Sequence, residues 1–366
     1  MLKKGLATTI ALSLVAVFLL AAGCGTPTGK GTASSGGGSG KSFVIGVANG
    51  YIGNDWRTQM IADVQQVAKT YEKQGVISKL IVENANNDVT QQISQIQNMI
   101  NSGVNAIMID PVSATALVPA IQKAQKAGIL VIPFDGVVNN PKVTNITTDQ
   151  YSWAKGGAEW LADQLHGKGN IILMDGLAGV PAENIRAQAE QDVFSKYPGI
   201  HVLQKVFGGW AEATAEQKMT SLIATYPNID GIYTQDGMGM GIVQAYTAAH
   251  KTPPLMTGDV TVGFFKYWTE HENSGFHSYV ESNPPGIGAT ALEFTVNMLQ
   301  GKKLKSSSIQ ANPVDTSETN TVLVKSPLTV TDSNLQQVWN STMKGKPSSY
   351  SLDAWLTPSQ VDAYFQ

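Results

Sequence analysis

One cysteine, Cys24, stands in 366 residues, so no internal disulfide can form. Histidine is nearly as scarce. His166, His201, His250, His271 and His277 place no pair at metal-ligand spacing on one helix, and no metal or cofactor is expected. Charged residues make up 14% of the chain and the formal net charge is −3. Neither a basic block for nucleic acid nor an acidic tail for a charged partner is present. No G-x-S-x-G elbow marks a hydrolase nucleophile. Only a leader and a tether precede residue 42, which excludes a DNA-binding repressor layout. Two acids facing across a cleft can cleave a glycoside, and that enzymatic reading stays open at this point.

What is present begins at the N-terminus. "MLKK" supplies positive charge, and "LATTIALSLVAVFLLAAG" is an apolar run that ends in small residues before Cys24. This is the composition of a secretory signal peptide over 1–24. "LLAAGC" resembles a bacterial lipoprotein signal, which implies lipidation of Cys24 and a membrane anchor. Ala21 departs from that pattern, standing where a leucine is usual. Residues 25–41 form a Gly/Ser/Thr tether. Within it "SGGGSGKS" imitates a phosphate-binding loop, but Ser35 stands where the pattern needs glycine, and a strand follows it instead of preceding it.

From residue 42 the chain alternates between short β-branched runs and helical spacing. "SFVIGVA", "KLIVEN", "AIMID" and "ILVIPFD" read as strands. The stripe Trp56, Met60, Ile61, Val64, Val67, Ala68, Tyr71 reads as one face of a helix. After an interruption over 139–153 the alternation resumes with "NIILMDG", "HVLQKVF", "IDGIYTQD", "PLMTGD" and "FHSYVES". The fold class is therefore α/β with parallel sheets. About nine strand–helix units are too many for one comfortable open sheet. Two sheets of about six strands fit better, with a (β/α)₈ barrel as the rival. The interruption at 139–153 favours two domains. Residues 303–366 are expected to return across the domains and end in short helices such as 333–344.

In open α/β sheets ligands bind outside the carboxyl ends of the strands. The residues found there are Asn54, Trp56 and Arg57, then Asp110 and Asp135, and in the second half Arg186, Trp210, Asp236, Asp259 and Ser282. Carboxylates accept and arginines donate charge-assisted hydrogen bonds, so together they bracket vicinal hydroxyls. Tryptophan faces stack on the C–H faces of sugar rings. The inventory suits a neutral polyhydroxy ligand. Each residue also has a plainer role. Trp56 can extend the buried stripe that includes Met60, Asp110, Asp236 and Asp259 can cap helices, and Arg186 can form a surface ion pair.

These residues carry a resemblance. "GNDW", "NANND", "IMIDP", "VIPFDG", "ITTDQYSWAKGGAEWLADQL", "GLAGVPAENIRAQ", "IDGIYTQDGMGMGIVQA", "TGD" and "NPPGIGATAL" occur in the order and spacing of type 1 periplasmic binding proteins of the ribose-binding cluster. The similarity covers about 42–325. It implies two Rossmann-like lobes joined by a three-segment hinge, an N-lobe of 42–149 plus 283–312 and a C-lobe of 150–282 plus 313–366. It also implies a monomer without enzymatic activity that delivers a sugar or polyol to an ABC permease and its ATPase, outside the cytoplasm. A ligand-sensing receptor is the alternative on the same fold. Asn54, Trp56, Asp110 and Asp135 fall to the N-lobe wall, and Arg186, Trp210, Asp236 and Asp259 to the C-lobe wall, with Ser282 near the hinge. Trp56 and Trp210 stand where aromatics sandwich the sugar. Four positions depart from the ribose pattern. Arg57 replaces an aromatic, Gly136 an arginine, Asp236 an asparagine and Ser282 a glutamine. They imply a more acidic pocket and a solute other than ribose: another sugar, a polyol or an amino-sugar.

Overall fold

The computed structural model describes residues 41–366. The segments expected to be a signal peptide and a tether, with Cys24 between them, fall in residues 1–40 and lie outside the described residues.

The chain begins with strand β1 (Phe43–Asn49), helix α1 (Asp55–Lys73), β2 (Ile77–Asn84), α2 (Val89–Asn101), β3 (Ala106–Asp110), α3 (Val118–Lys126), β4 (Leu130–Pro133) and β5 (Asn145–Thr148). It crosses into α4 (Gln150–Gln164), β6 (Lys168–Asp175), α5 (Pro181–Phe194), β7 (Gly199–Phe207), α6 (Glu212–Thr225), β8 (Gly231–Thr234), α7 (Gly239–Ala248), β9 (Leu255–Thr257), α8 (Val262–His271) and β10 (Ser278–Glu281). Then follow α9 (Ile287–Leu299), β11 (Gln310–Asn312), β12 (Asp315–Val324), β13 (Thr329–Val330), α10 (Leu335–Val338) and α11 (Pro358–Asp362).

Two open sheets result, and the barrel is excluded. The first runs β2-β1-β3-β4 and continues through the Phe134–Ile146 bridge into β5, β12 and β11. The second runs β13-β10-β9-β8-β6-β7, parallel except at β13. Alternation along the strands explains the covering helices. Met108 packs with the helix stripe Met60 and Val64, while Ile107 and Ile109 pack with Ile96 and Ile121 on the opposite face. In the second lobe Ile172 and Met174 join one core, and Ile171 and Leu173 the other.

Three boundaries differ from the sequence reading. The stretch 139–153 is more than a crossing, because "NITT" forms β5, too short and polar to announce itself. The second N-lobe segment does not stop at residue 312, since Thr321–Val324 pair in register with Asn145–Thr148. Nor does 313–366 all join the C-lobe: β13 pairs with β10, but α11 packs on α9, and the Lys305 amide donates to Tyr364 O at 2.9 Å.

The chain therefore crosses between lobes four times rather than three, the fourth at Ser351–Asp353. On the C-lobe side the Val262 amide donates to Tyr350 O at 2.9 Å, and the Leu352 amide to Val260 O at 2.7 Å. On the N-lobe side Gln59 takes both backbone groups of Ser351, accepting from its amide at 2.9 Å and donating to its carbonyl at 3.1 Å. Asp353 accepts from the Gly286 amide at 2.7 Å. Beside this strap, burial and then Asp353 push the Asp63 carboxyl up to about 8.

An unfolded aspartate titrates near about 3.9, so between that pH and about 8 the folded state holds a proton that the unfolded state releases. Stability falls as pH rises through this window. Asp63→Asn should therefore melt above wild type at about pH 8 and converge with it toward about pH 4. Parallel melting curves across the range would show that Asp63 holds no such proton.

Candidate functional site

The strand ends converge as the α/β rule requires. Leaving β1, the chain turns so that Asn54 caps α1, its side-chain oxygen accepting from the Arg57 amide at 2.9 Å. That cap starts the helix at the cleft and puts Trp56 and Arg57 on its first turn. Asp110 ends β3 and Asp135 follows β4. Across the cleft, Arg186 lies on α5, Trp210 follows β7 and Asp236 follows β8. One cavity is lined by Asn54, Trp56, Arg57, Asp135 and Asn283 on one side. Ala182, Arg186, Trp210, Asp236 and Gly237 line the other. The lobes meet over it, Asn54 Nδ2 donating to Trp210 O at 3.1 Å. Apart from the half-buried Asn54, the named side chains are buried, Trp56 the most exposed of the charged and aromatic set at 8%.

Charge alternates along the cleft. Arg57 ion-pairs with Asp110 and reaches Asp135 at 3.5 Å. Asp135 Oδ1 accepts from Asn283 Nδ2 at 3.1 Å and from Gln150 Nε2 at 3.3 Å. Gln150 Oε1 in turn accepts from Arg186 Nε at 2.8 Å, and Arg186 reaches Asp236 at 3.4 Å. Gln150, at the first crossing, thus joins the charges of the two lobes. Arg186 also stacks 3.9 Å from the centre of the Trp153 ring. At 2% exposure it is no surface ion pair.

Burial sets the protonation. It pushes the Asp236 carboxyl up to about 7 despite Arg186, and Asp259 up to about 6 despite the Gly237 amide. It lowers the Arg57 guanidinium. Two lining residues are backbone outliers. Asp135 and Trp210 have φ of 59° and 51°, the left-handed region that side chains rarely adopt. Such strain, about 1–3 kcal/mol per residue, persists only where surroundings enforce it. At Asp135 they do: its amide donates to Ile146 O at 3.1 Å and its carbonyl accepts from the Thr147 hydroxyl.

Seven of the ten residues expected at the site from the sequence line the cavity: Asn54, Trp56, Arg57, Asp135, Arg186, Trp210 and Asp236. Asp110 sits behind Arg57 as its counter-ion. Asp259 holds the Gly237 amide at 3.1 Å and faces a neighbouring cleft. Ser282 is fully buried, its carbonyl accepting from Ser326 Oγ at 2.7 Å, and the next residue, Asn283, takes its place in the lining. None of the three aspartates caps a helix. Thr261 caps α8, and α3 and α7 have no side-chain cap. The sequence reading missed Gln150, Trp153, Gln235 and Asn283. Three of these adjoin residues it singled out or a crossing, but a neutral amide carries no motif. Among the described residues no group of three or more His, Cys, Asp or Glu is placed to hold a metal ion.

A family profile described as periplasmic binding protein domain matches residues 45–303. The chain belongs to the periplasmic binding protein family. A xylitol-binding protein of Mycolicibacterium smegmatis is 35% identical over 204 residues, 55% of this chain and 58% of that one. The match thus spans less than two thirds of that relative. A ribose import binding protein of Bacillus subtilis is 24% identical over 306 residues, 83% of this chain and 96% of the other. The solved structure of an ABC transporter solute binding protein from Thermobispora bispora has a TM-score of 0.78 at 26% identity, covering 88% of this chain and 94% of that one. The two-lobed α/β fold of this periplasmic binding protein is thus that of its type 1 relatives. Their family is one of binding proteins rather than enzymes, working outside the cytoplasm.

One glycine decides where the C-lobe tryptophan of this binding protein lies. A Cβ on Gly176 would sit 2.0 Å from Cε2 of Trp210. Gly176→Ala should therefore alter the near-ultraviolet circular dichroism while the far-ultraviolet spectrum holds, at a stability cost of about 1–3 kcal/mol. An unchanged near-ultraviolet spectrum would place the indole elsewhere.

Proposed function

We propose that this protein is the solute receptor of an ABC importer and clamps a neutral sugar or polyol between its lobes. The alternating run Arg57, Asp135, Gln150, Arg186, Asp236 carries the reading. It offers donors and acceptors on both walls, with Arg57 and Arg186 set against Asp110, Asp135 and Asp236, an excess of one carboxylate. Burial pushes the Asp236 carboxyl up to about 7, which offsets that excess and favours a neutral solute over an amino-sugar. Both indole N–H groups are spent on the protein, Trp56 on Asn283 O at 2.7 Å and Trp210 on Gln235 Oε1 at 3.0 Å. Their faces are what remains for the C–H side of a sugar. Asn54, Asp110, Asp259 and Ser282 complete the proposed site, the last three by supporting the lining rather than by contact.

Relatives named for xylitol, ribose and D-allose support this solute class, and the 35% identity to the xylitol binder favours a polyol. Those relatives are import or solute-binding proteins, which supports transport over sensing. The protein works as a monomer without chemistry: the solute stabilises the closed lobes, and that form docks on the permease and its ATPase. Lipidated Cys24 holds it at the outer face of the cell membrane.

A thermal-shift series with xylitol, ribitol, D-ribose, D-allose and glucosamine on residues 41–366 tests the solute class. A true ligand at 100 times its Kd adds about 2.7 kcal/mol, and Asp135→Asn should abolish the shift. Response to glucosamine alone would overturn the neutral-solute reading, and no response to any of the five would overturn the solute class. In cells, Cys24→Ser should move the protein from the membrane fraction to the soluble extracytoplasmic one; retention in the membrane would refute the lipid anchor.

A further inference from the structure

Behind the C-lobe wall lies a second set of buried ionisable groups that the solute site does not use. Asp175, Glu183 and Glu190 are each at most 1% exposed. Lys205 Nζ reaches Asp175 at 2.6 Å and also pairs with Glu190. Glu183 differs from its neighbours in what it holds. Its Oε2 accepts from the Gly176 amide at 2.8 Å and from Gln235 Nε2 at 2.7 Å. Gln235, fully buried, turns its other end toward the site, where Oε1 accepts from Trp210 Nε1 at 3.0 Å and from Arg186 at 3.4 Å.

The two ends of a glutamine amide are nearly identical in shape, so only hydrogen-bond partners decide which way it faces. With an acceptor on Glu183, the NH₂ must face inward and the oxygen must face Arg186 and Trp210. Reversed, the NH₂ would oppose two further donors, leaving both unsatisfied in a buried place. Glu183 and Gln235 are outside the cavity lining, so they act through the residues that form it. We propose that Glu183 is a positioning residue of the solute site, fixing the Gln235 amide and through it the orientation of Arg186 and Trp210. This rests on the solute-binding reading above. Protonation is consistent with the role. Burial and then Asp175 push the Glu183 carboxyl up to about 8. Oε1 has no hydrogen-bond partner, so a proton taken up there leaves Oε2 as the acceptor for Gly176 and Gln235. A glutamine at 183 reproduces that arrangement.

The test compares Glu183→Met, Glu183→Gln and Glu190→Met in two measurements. The first needs no solute: the indole N–H resonance of Trp210, assigned by its loss in Trp210→Phe. The second is the Kd for xylitol and D-ribose by calorimetry. Glu183→Met should shift the Trp210 resonance and weaken binding by about tenfold or more, the effect of leaving buried donors unpaired. Glu183→Gln should keep the resonance and bind within about threefold of wild type. Glu190→Met removes an equally buried carboxyl of the same cluster and should lower the melting temperature while leaving both readouts unchanged. The proposal falls if Glu183→Met leaves the Trp210 resonance in place, or if Glu190→Met moves it as far. Should Glu183→Met fail to fold, Glu183→Leu removes the same acceptor, and a wild-type Trp210 resonance there overturns the proposal. Wild type binding neither solute would instead count against the solute class, and the resonance would still decide the positioning role.

Discussion

A carboxylate and a guanidinium taken out of water each cost several kcal/mol unless partnered. In this cleft four such groups, Arg57, Asp135, Arg186 and Asp236, are nearly removed from solvent at once. Their partners lie partly in the other lobe, and Gln150 is the link: its amide accepts from Arg186 and donates to Asp135. Closing the lobes and satisfying the charges are therefore one event. Parting the lobes strains that arrangement but returns the charges to water, which repays much of the loss. The two states can then lie close enough in free energy for a small solute to choose between them, as population shift requires.

The crossings decide how the lobes move. Gln150 sits at the first and Asn283 at the second, so two of the residues that hold Asp135 ride on the hinge itself. The fourth crossing is of another kind. Ser351 is bonded to the C-lobe through its neighbours and to the N-lobe through Gln59, and the chain then continues onto α9. Because the Gln59–Ser351 pair is a side-chain amide on a backbone, it can break without disturbing either sheet. The strap thus adds a contact between the lobes that lies outside the lining of the solute cavity.

Much of this was legible in the sequence, and what was not has a physical cause. Apolar alternation gave the long parallel strands, because burial on both faces demands it. It failed for β5 and the first part of β12: "NITT" has one apolar side chain in four residues, and "DTSETN" pairs only with the three-residue strand β11 and needs no apolar run. The strand-end rule found the charged and aromatic lining residues, since charge in a chain with so little of it stands out. It could not find Gln150, Gln235 or Asn283. An amide buried as a bridge looks the same in sequence as one on the surface, and its role appears only when both of its ends have partners. Asp259 and Ser282 stand at strand ends as the lining residues do. Their side chains are claimed by local structure, which position alone does not reveal.

The ion pair on each wall of the cleft is loose in a way that bears on the solute. Charge-assisted N–H···O bonds settle at about 2.7–2.9 Å, whereas Arg57 stands 3.5 Å from Asp135 and Arg186 3.4 Å from Asp236. Asp236 Oδ1 is buried without a hydrogen-bond partner. Each pair is near enough to offset burial and far enough to leave hydrogen-bonding capacity unused. A hydroxyl can use it from both sides, accepting from the guanidinium and donating to the carboxylate. An anion would satisfy the arginines and be opposed by the aspartates; a cation would do the reverse. An apolar group would leave both unmet. Vicinal hydroxyls set against indole faces are the chemistry that fills the gaps on both walls together, and only in the closed form do both walls face them.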